Sequence, residues 1–290
     1  MPQSVFSSFV SDQNQVTRRP PLPSAVRLWW SGALMLAFCS AGFAATIHVP
    51  ADKPTIQAGI DAAADGDTVL VAKGTYKENI DFQGKAITVI SADGPAATII
   101  QGDLTHPVVF FHNNETRKSV INGFTIKDGG FPGFGYTGGG GVAALDAYPS
   151  ILNNIITDNQ CHGVDSESAG PLVQGNTIAN TTASPNGYCS FNGSALLLGG
   201  GVSQSPPVVI GNVIANNTQG NSYDGGAFLL WDAEGSVIES NIIYGNATTG
   251  EGGALASYNT VAITFAQNLV YGNSAGYNSG GISILSPEDT

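Results

Sequence analysis

The chain has 290 residues and a formal net charge of −12, yet only 11 % of its residues are charged, against roughly 25 % in an ordinary globular protein. Its 42 % hydrophobic content excludes a disordered chain, which combines low hydrophobicity with high net charge. The 38 glycines follow no G-X-Y period, which excludes collagen and leaves a folded chain with many tight turns.

Charge is unevenly placed. Lys127 is the last basic residue, and from Asp128 to Thr290 there are 12 carboxylates with no Lys or Arg. A nucleic-acid groove needs clustered cations to neutralise phosphates, so nucleic acid is excluded as a partner. The same half repels an anionic polysaccharide.

Residues 1–44 have the layout of a secretory signal. Arg18, Arg19 and Arg27 precede the apolar run "LWWSGALMLAFCSAGFA" (28–44), which ends in small residues. A membrane anchor is the alternative, but the run is at the short limit for a span, and Ser, Gly and Cys dilute it. Cleavage after Ala44 or Ala45 leaves a mature chain with no membrane segment, located extracellularly or in the periplasm. Composition says nothing about oligomeric state.

Residues 45–66 read as an N-terminal strand and a capping helix. In "KPTIQAGIDAAADGD" (53–67), Ile56, Ile60 and Ala63 share one helical face. A short amphipathic helix there would cover the open hydrophobic end of whatever follows. "TVLVAKGTYKENI" and "KAITVISADG" then read as the first strands of residues 67–290.

The rest of the chain repeats. "SILNNIITDN", "PLVQGNTIAN", "PVVIGNVIAN", "SVIESNIIYGN" and "AITFAQNLVYGN" each set one Asn (Asn154, Asn176, Asn212, Asn241, Asn268) between two short β-branched runs. A second Asn follows four or five residues later. An earlier copy has Phe124 in the Asn slot. A third, glycine-led run lies between copies, as in "GGGGVAALD", "GGAFLLWD" and "GGALASY". Self-similarity at 20–50 residues indicates a solenoid, and three strand-like runs per unit describe one rung of a parallel β-helix. Identical turn asparagines stacked every ~4.8 Å can bond one another in a ladder, so the five are structural.

"TIQAGIDAAADGDTVLVAKGTYKENI", "AITVISADG" and the x-N-x-[IV] repeats together resemble the pectin-lyase-like right-handed parallel β-helix superfamily, and residues 46–100 resemble the opening of pectin methylesterases. The resemblance implies an all-β, single-stranded solenoid of three short strands per rung. It does not carry one activity, because the superfamily hosts lyases, hydrolases, esterases and binding proteins. The methylesterase Gln-Ala-Leu-Arg and Asp-Phe-Ile-Phe-Gly stretches are absent. Basic candidates for a lyase reduce to Arg117, Lys118 and Lys127, and the polygalacturonase motifs are missing except for a loose likeness in "CHGVDSES".

That stretch holds the chemistry-bearing candidates. Aligning the runs on Gly141, Gly163, Ser194, Gly226, Gly253 and Gly281 puts Val142, Val164, Ala195, Ala227, Ala254 and Ile282 inward. It puts Ala143, Asp165, Leu196, Phe228, Leu255 and Ser283 outward. Asp165 and Glu167 then share one outer strand face, about 7 Å apart by strand rise, a separation compatible with two-carboxylate glycoside hydrolysis. His162 stands beside them as an assistant. Phe228, Trp231 and Tyr258 would form a sugar-stacking platform. The plainer alternative is one solvated acidic rung. Cys161 and Cys189 are a candidate disulfide in an oxidising compartment, or two free thiols. No metal site is expected: Asp224, Asp232 and Glu234 lack the ligand spacing of a Ca²⁺ loop, and no cofactor is implied.

The chain stops at "GGISILSPEDT", midway through a rung. Either Pro287, Glu288 and Asp289 blunt the edge or the chain is a piece of a longer protein. Two functions follow from the residues. One is a secreted repeat protein binding a polysaccharide, a cell-surface glycan or another surface partner. The other is a glycoside hydrolase using Asp165 and Glu167, with lyase or esterase activity less well supported.

Overall fold

A computed structural model describes residues 44–130, 139–183, 189, 195–199, 205–220 and 224–285. The signal segment proposed for residues 1–44 lies outside them apart from Ala44, as do Pro287, Glu288 and Asp289. No described helix is long and apolar enough to cross a membrane.

Three parallel sheets wind around one apolar core. The first runs from the Thr46–Val49 strand to Thr264–Ala266, the second from Gly74–Lys77 to Leu269–Tyr271, and the third from Ile80–Asp81 to Ile282–Leu285. One turn of the solenoid visits them in that order. Ser150–Leu152, Ile155–Thr157 and Val164–Glu167 form one rung, and the chain re-enters the first sheet at Leu172–Gln174. Every neighbouring pair is parallel, and each strand bonds to its equivalent in the next rung. This is a parallel β-helix, right-handed as parallel crossovers are in nearly all sheets.

Strand length explains the core. In the first two sheets most strands from the third rung on have three residues, so alternation sends only the central one inward. Ile121, Ile151, Val173, Val209 and Ile238 stack in the first sheet and Ile126, Ile156, Ile178, Ile214 and Ile243 in the second, all fully buried. Burying each such side chain contributes about 1.5–3 kcal/mol.

The turns between sheets also follow from residue type. The residue before each first-position Asn or Phe is left-handed: Gly123, Asn153, Gly175, Gly211, Ser240 and Gln267 have φ between 53° and 81°. That conformation turns the next side chain into the core, where Asn154, Asn176, Asn212 and Asn241 are buried. Asn176 Oδ1 accepts from the backbone N–H of Asn154 (2.8 Å) and from Asn154 Nδ2 (3.1 Å). Asn176 Nδ2 in turn donates to Ile151 O and Asn212 Oδ1. The same pattern continues to Asn268.

A second ladder runs down the next corner, five residues on in every copy: Asn159, Thr181, Asn217, Asn246 and Asn273. Where the sequence offers an Asn four residues on, at Asn180 and Asn216, that residue is the left-handed turn (φ 54° and 56°), and its neighbour occupies the ladder.

The Ile56–Ala62 helix closes the N-terminal end. Thr55 caps it by accepting from Ala58 N, and Glu78 accepts from the N–H groups of Ile56 and Gln57 at 2.9 Å. Ile56 and Ile60 are buried against the first strands.

One expectation about register is corrected. In the third sheet Val142 and Val164 line up with Leu196, Phe228, Leu255 and Ile282, not with Ala195, Ala227 and Ala254. The copies leading to Phe228 and Leu255 carry one more residue between their glycines and the strand, and the core takes the bulkier side chain. Gly226 and Gly253 are needed just before it, because a Cβ at either would stand 2.4 Å from the carbonyl oxygen of the glycine one rung on. A one-residue slip exchanges the two faces of a strand. Leu196, Phe228 and Leu255 therefore belong to the core, while Leu197, Leu229 and Ala256 form a separate outer cluster.

Candidate functional site

The outer face of the third sheet carries two rows of side chains. The first row is Asp81, Phe110, Ala143, Asp165, Leu197, Leu229, Ala256 and Ser283; the second includes Leu145, Glu167, Gly199, Trp231, Tyr258 and Leu285. Asp165 and Glu167 thus sit on this face, with Ala143 and Leu145 on one side and Leu197 and Gly199 on the other.

Their environments differ from a solvated acidic rung. Asp165 is fully buried, as is His162. Asp165 Oδ2 accepts from the backbone N–H of Gly139 (3.0 Å) and lies 3.8 Å from His162 Nε2. Among the described residues, Asp165 Oδ1 and Glu167 Oε1 have no hydrogen-bond partner. Burial pushes the Asp165 carboxyl up to about 7, against the smaller opposing effect of the Gly139 bond. Glu167, half-buried, is also raised to about 7, by desolvation and then by the charge of Asp165, with His162 acting the other way.

Beside Glu167 opens a cleft of about 240 Å³, lined by Glu167, Ser168, Leu197, Leu229, Trp231 and Asp232 with the backbone of Gly199. Trp231 is 40 % exposed there. Its ring centroid is 5.7 Å from that of half-buried Tyr258 one rung on, at an interplanar angle of 31°. The Tyr258 hydroxyl donates to Asp224 Oδ2, and burial followed by that bond raises its pKa. Asp224 Oδ1 accepts from the backbone N–H of Glu251.

Phe228 does not join this platform. It occupies the first position of the Phe228–Trp231 strand, points inward and is fully buried. Trp231, three positions on, faces outward. The aromatic surface is therefore the Trp231–Tyr258 pair.

Cys161 and Cys189 are joined as a disulfide with Cα atoms 5.4 Å apart, tying residue 189 to the turn that precedes His162. Arg117 and Lys118 lead into the first sheet, and Lys127 ends a strand of the second, 3.5 Å from Asp128. None of the three lines the cleft, which leaves the lyase reading without an Arg or Lys there. Among the described residues no group of three or more His, Cys, Asp or Glu could hold a metal ion, Asp224, Asp232 and Glu234 included.

Sequence reasoning passed over a polar pair at the other end of the same face. His112 Nε2 lies 3.1 Å from Asp81 Oδ2, and the His112 ring stacks on Phe110 with centroids 4.1 Å apart. These rungs lack the Asn that marks the later copies, so their register was not legible. Asp224 was missed as the partner of Tyr258 because it sits in a turn whose length varies between copies.

No protein-family model matches the chain, and no curated protein matches it. Two solved structures are similar. One is the alginate lyase from Paenibacillus sp. str. FPU-7, at 15 % identity and a TM-score of 0.39, covering 82 % of this chain and 99 % of that one. The other is the pectin methylesterase from carrot, at 11 % identity and a TM-score of 0.39, covering 85 % of this chain and 89 % of that one. Likeness at this level assigns no chemistry. By its own sheets and corner ladders the chain is a right-handed parallel β-helix.

Proposed function

We propose that this chain is a secreted β-helix that binds carbohydrate on the outer face of its third sheet. The observation that carries this reading is the exposed Trp231 ring, paired with Tyr258 and sharing one cleft with the half-buried carboxyl of Glu167. Aromatic faces stack on the apolar faces of sugar rings while a few polar groups fix orientation. Leu197 and Leu229 supply the apolar wall, and Glu167, Ser168 and Asp232 the polar groups. Secretion is supported by the apolar segment at 28–44 and by the Cys161–Cys189 pair, since disulfides persist outside the cytosol.

The test is calorimetric titration of the protein with oligosaccharides of different backbone. Binding should be abolished by Trp231→Ala and retained in Leu145→Ala, which changes the same row away from the cleft. Binding that survives Trp231→Ala would overturn the assignment of the site.

Hydrolysis is a second reading, favoured by two neighbouring carboxyls both raised to about 7, a range suited to a general acid. Against it stands the full burial of Asp165, since two-carboxylate hydrolysis needs both groups against the scissile bond. Asp165 would act through Glu167 as a positioning residue. Reducing-sugar release that disappears in Glu167→Gln would establish hydrolysis, and absence of release from a bound oligosaccharide would leave binding as the activity.

A further inference from the structure

The carbohydrate reading leaves the class of sugar open, and the charges around the cleft narrow it. Two of the residues lining it, Glu167 and Asp232, are carboxylic acids, and none is basic. The next rung adds Asp224, held by Tyr258, and Glu251, which accepts from Ser283 Oγ at 2.9 Å and from Asn278. Asp165 lies beneath Glu167, fully buried and without a cationic residue other than His162 beside it. From Asp128 onward the chain holds no Lys or Arg at all. Acid therefore stands on both sides of the Trp231–Tyr258 pair, and among the described residues no Lys or Arg lines the cleft.

We propose that the cleft takes an amine-bearing oligosaccharide, a chain of unacetylated amino sugars, with the ammonium group between Trp231, Glu167 and Asp232. This rests on the carbohydrate reading of the same site. An ammonium carries three N–H donors and no acceptor, so it suits a surface that consists of carboxyl oxygens. It is also attracted to the face of a tryptophan, the strongest of the aromatic rings in this respect. A uronate would bring its own carboxylate against Glu167 and Asp232 and be rejected. A neutral sugar would stack on Trp231 but leave the acids without a counter-charge. Rungs follow one another about every 4.8 Å, close to the advance of one sugar ring in an extended chain. Successive amines would then meet Glu167 and Asp232 on one side of the aromatic pair and Asp224 and Glu251 on the other.

The experiment is titration of the wild-type protein near neutral pH with glucosamine hexamer, N-acetylglucosamine hexamer, cellohexaose, galacturonate hexamer and hexalysine. The glucosamine hexamer should bind at least ~10-fold more tightly than its N-acetylated form, and the galacturonate hexamer not at all. Glu167→Gln combined with Asp232→Asn should remove that preference, and Trp231→Ala should remove binding of both sugars. Equal or tighter binding of the neutral hexamers would overturn this inference and leave carbohydrate binding standing. Hexalysine binding as tightly as the amino sugar would also overturn it, because charge alone would then suffice. Failure of every oligosaccharide to bind would sink the carbohydrate reading and this inference together.

Discussion

The corners of the solenoid and the outer face of its third sheet obey opposite rules. At the corners each rung repeats the last: a left-handed residue, then an Asn or its substitute whose amide bonds to the rung on either side. On the outer face no residue type holds down a whole column. Asp165 is followed by Leu197, Leu229 and Ala256, and Glu167 by Gly199, Trp231 and Tyr258. A corner that must satisfy buried backbone groups admits few residue types. A face that no neighbouring rung depends on is free to vary, and there the candidate chemistry collects.

This contrast can be broken at several points, beginning where the largest effect is expected. Phe228→Ala empties a fully buried position in the core and should cost about 4 kcal/mol in denaturant unfolding. Trp231→Ala, three residues away on the same strand, should cost only about 1 kcal/mol, because its ring is 40 % exposed and pairs with Tyr258 across the rungs. A reversal of those two values would show that the third sheet is out of register.

Cys161→Ser with Cys189→Ser should lower stability by about 3 kcal/mol through the freed loop, seen as a fall in the thermal midpoint matched by the wild type under reductant. An unchanged midpoint would mean the two thiols are not paired.

Asn176→Ala leaves Asn154 N and Ile151 O, both buried, without their partners. It should cost about 2–3 kcal/mol, whereas Asn180→Gly, at an exposed left-handed turn that glycine adopts freely, should cost well under ~1 kcal/mol. Comparable losses at both positions would argue against the ladder at this corner.

The last effect is a slope with pH. The Asp165 carboxyl is raised to about 7 in the folded chain from an ordinary value of 3.8, so between those values the folded state holds a proton that the unfolded state has released. Stability should therefore fall as pH rises from about 4 to 7 and level off above. Asp165→Asn should reduce that slope to the part contributed by Glu167 and leave the protein more stable than wild type above pH 7. Steeper loss in the variant would mean that Asp165 is ionised in the folded state.

Much of the fold was legible because the corner code is local. Asn154, Asn176, Asn212, Asn241 and Asn268, each between β-branched runs, announce a rung without reference to any other part of the chain. The second ladder was only half legible. Asn180 and Asn216 resemble the ladder residue in type, and only the backbone reveals that they are the left-handed turn while Thr181 and Asn217 face inward. The outer face was the least legible. The glycine-led runs differ by one residue between their glycines and their strands, and a slip of one residue exchanges inside for outside. Phe228 was lost from the platform in that way, while Leu197 and Leu229 were gained by the cleft wall.

By itself the sequence determined the solenoid, its rung length, its helical cap and the acidic, cation-free character of its second half, because these depend on composition, period and local turn preference. Tertiary structure alone decided that Asp165 is buried and Glu167 is at a cleft edge, and that Trp231 meets Tyr258 while Phe228 does not. Burial and pairing across rungs are properties of residues 20 or more positions apart in the chain, and local pattern cannot specify which of them meet.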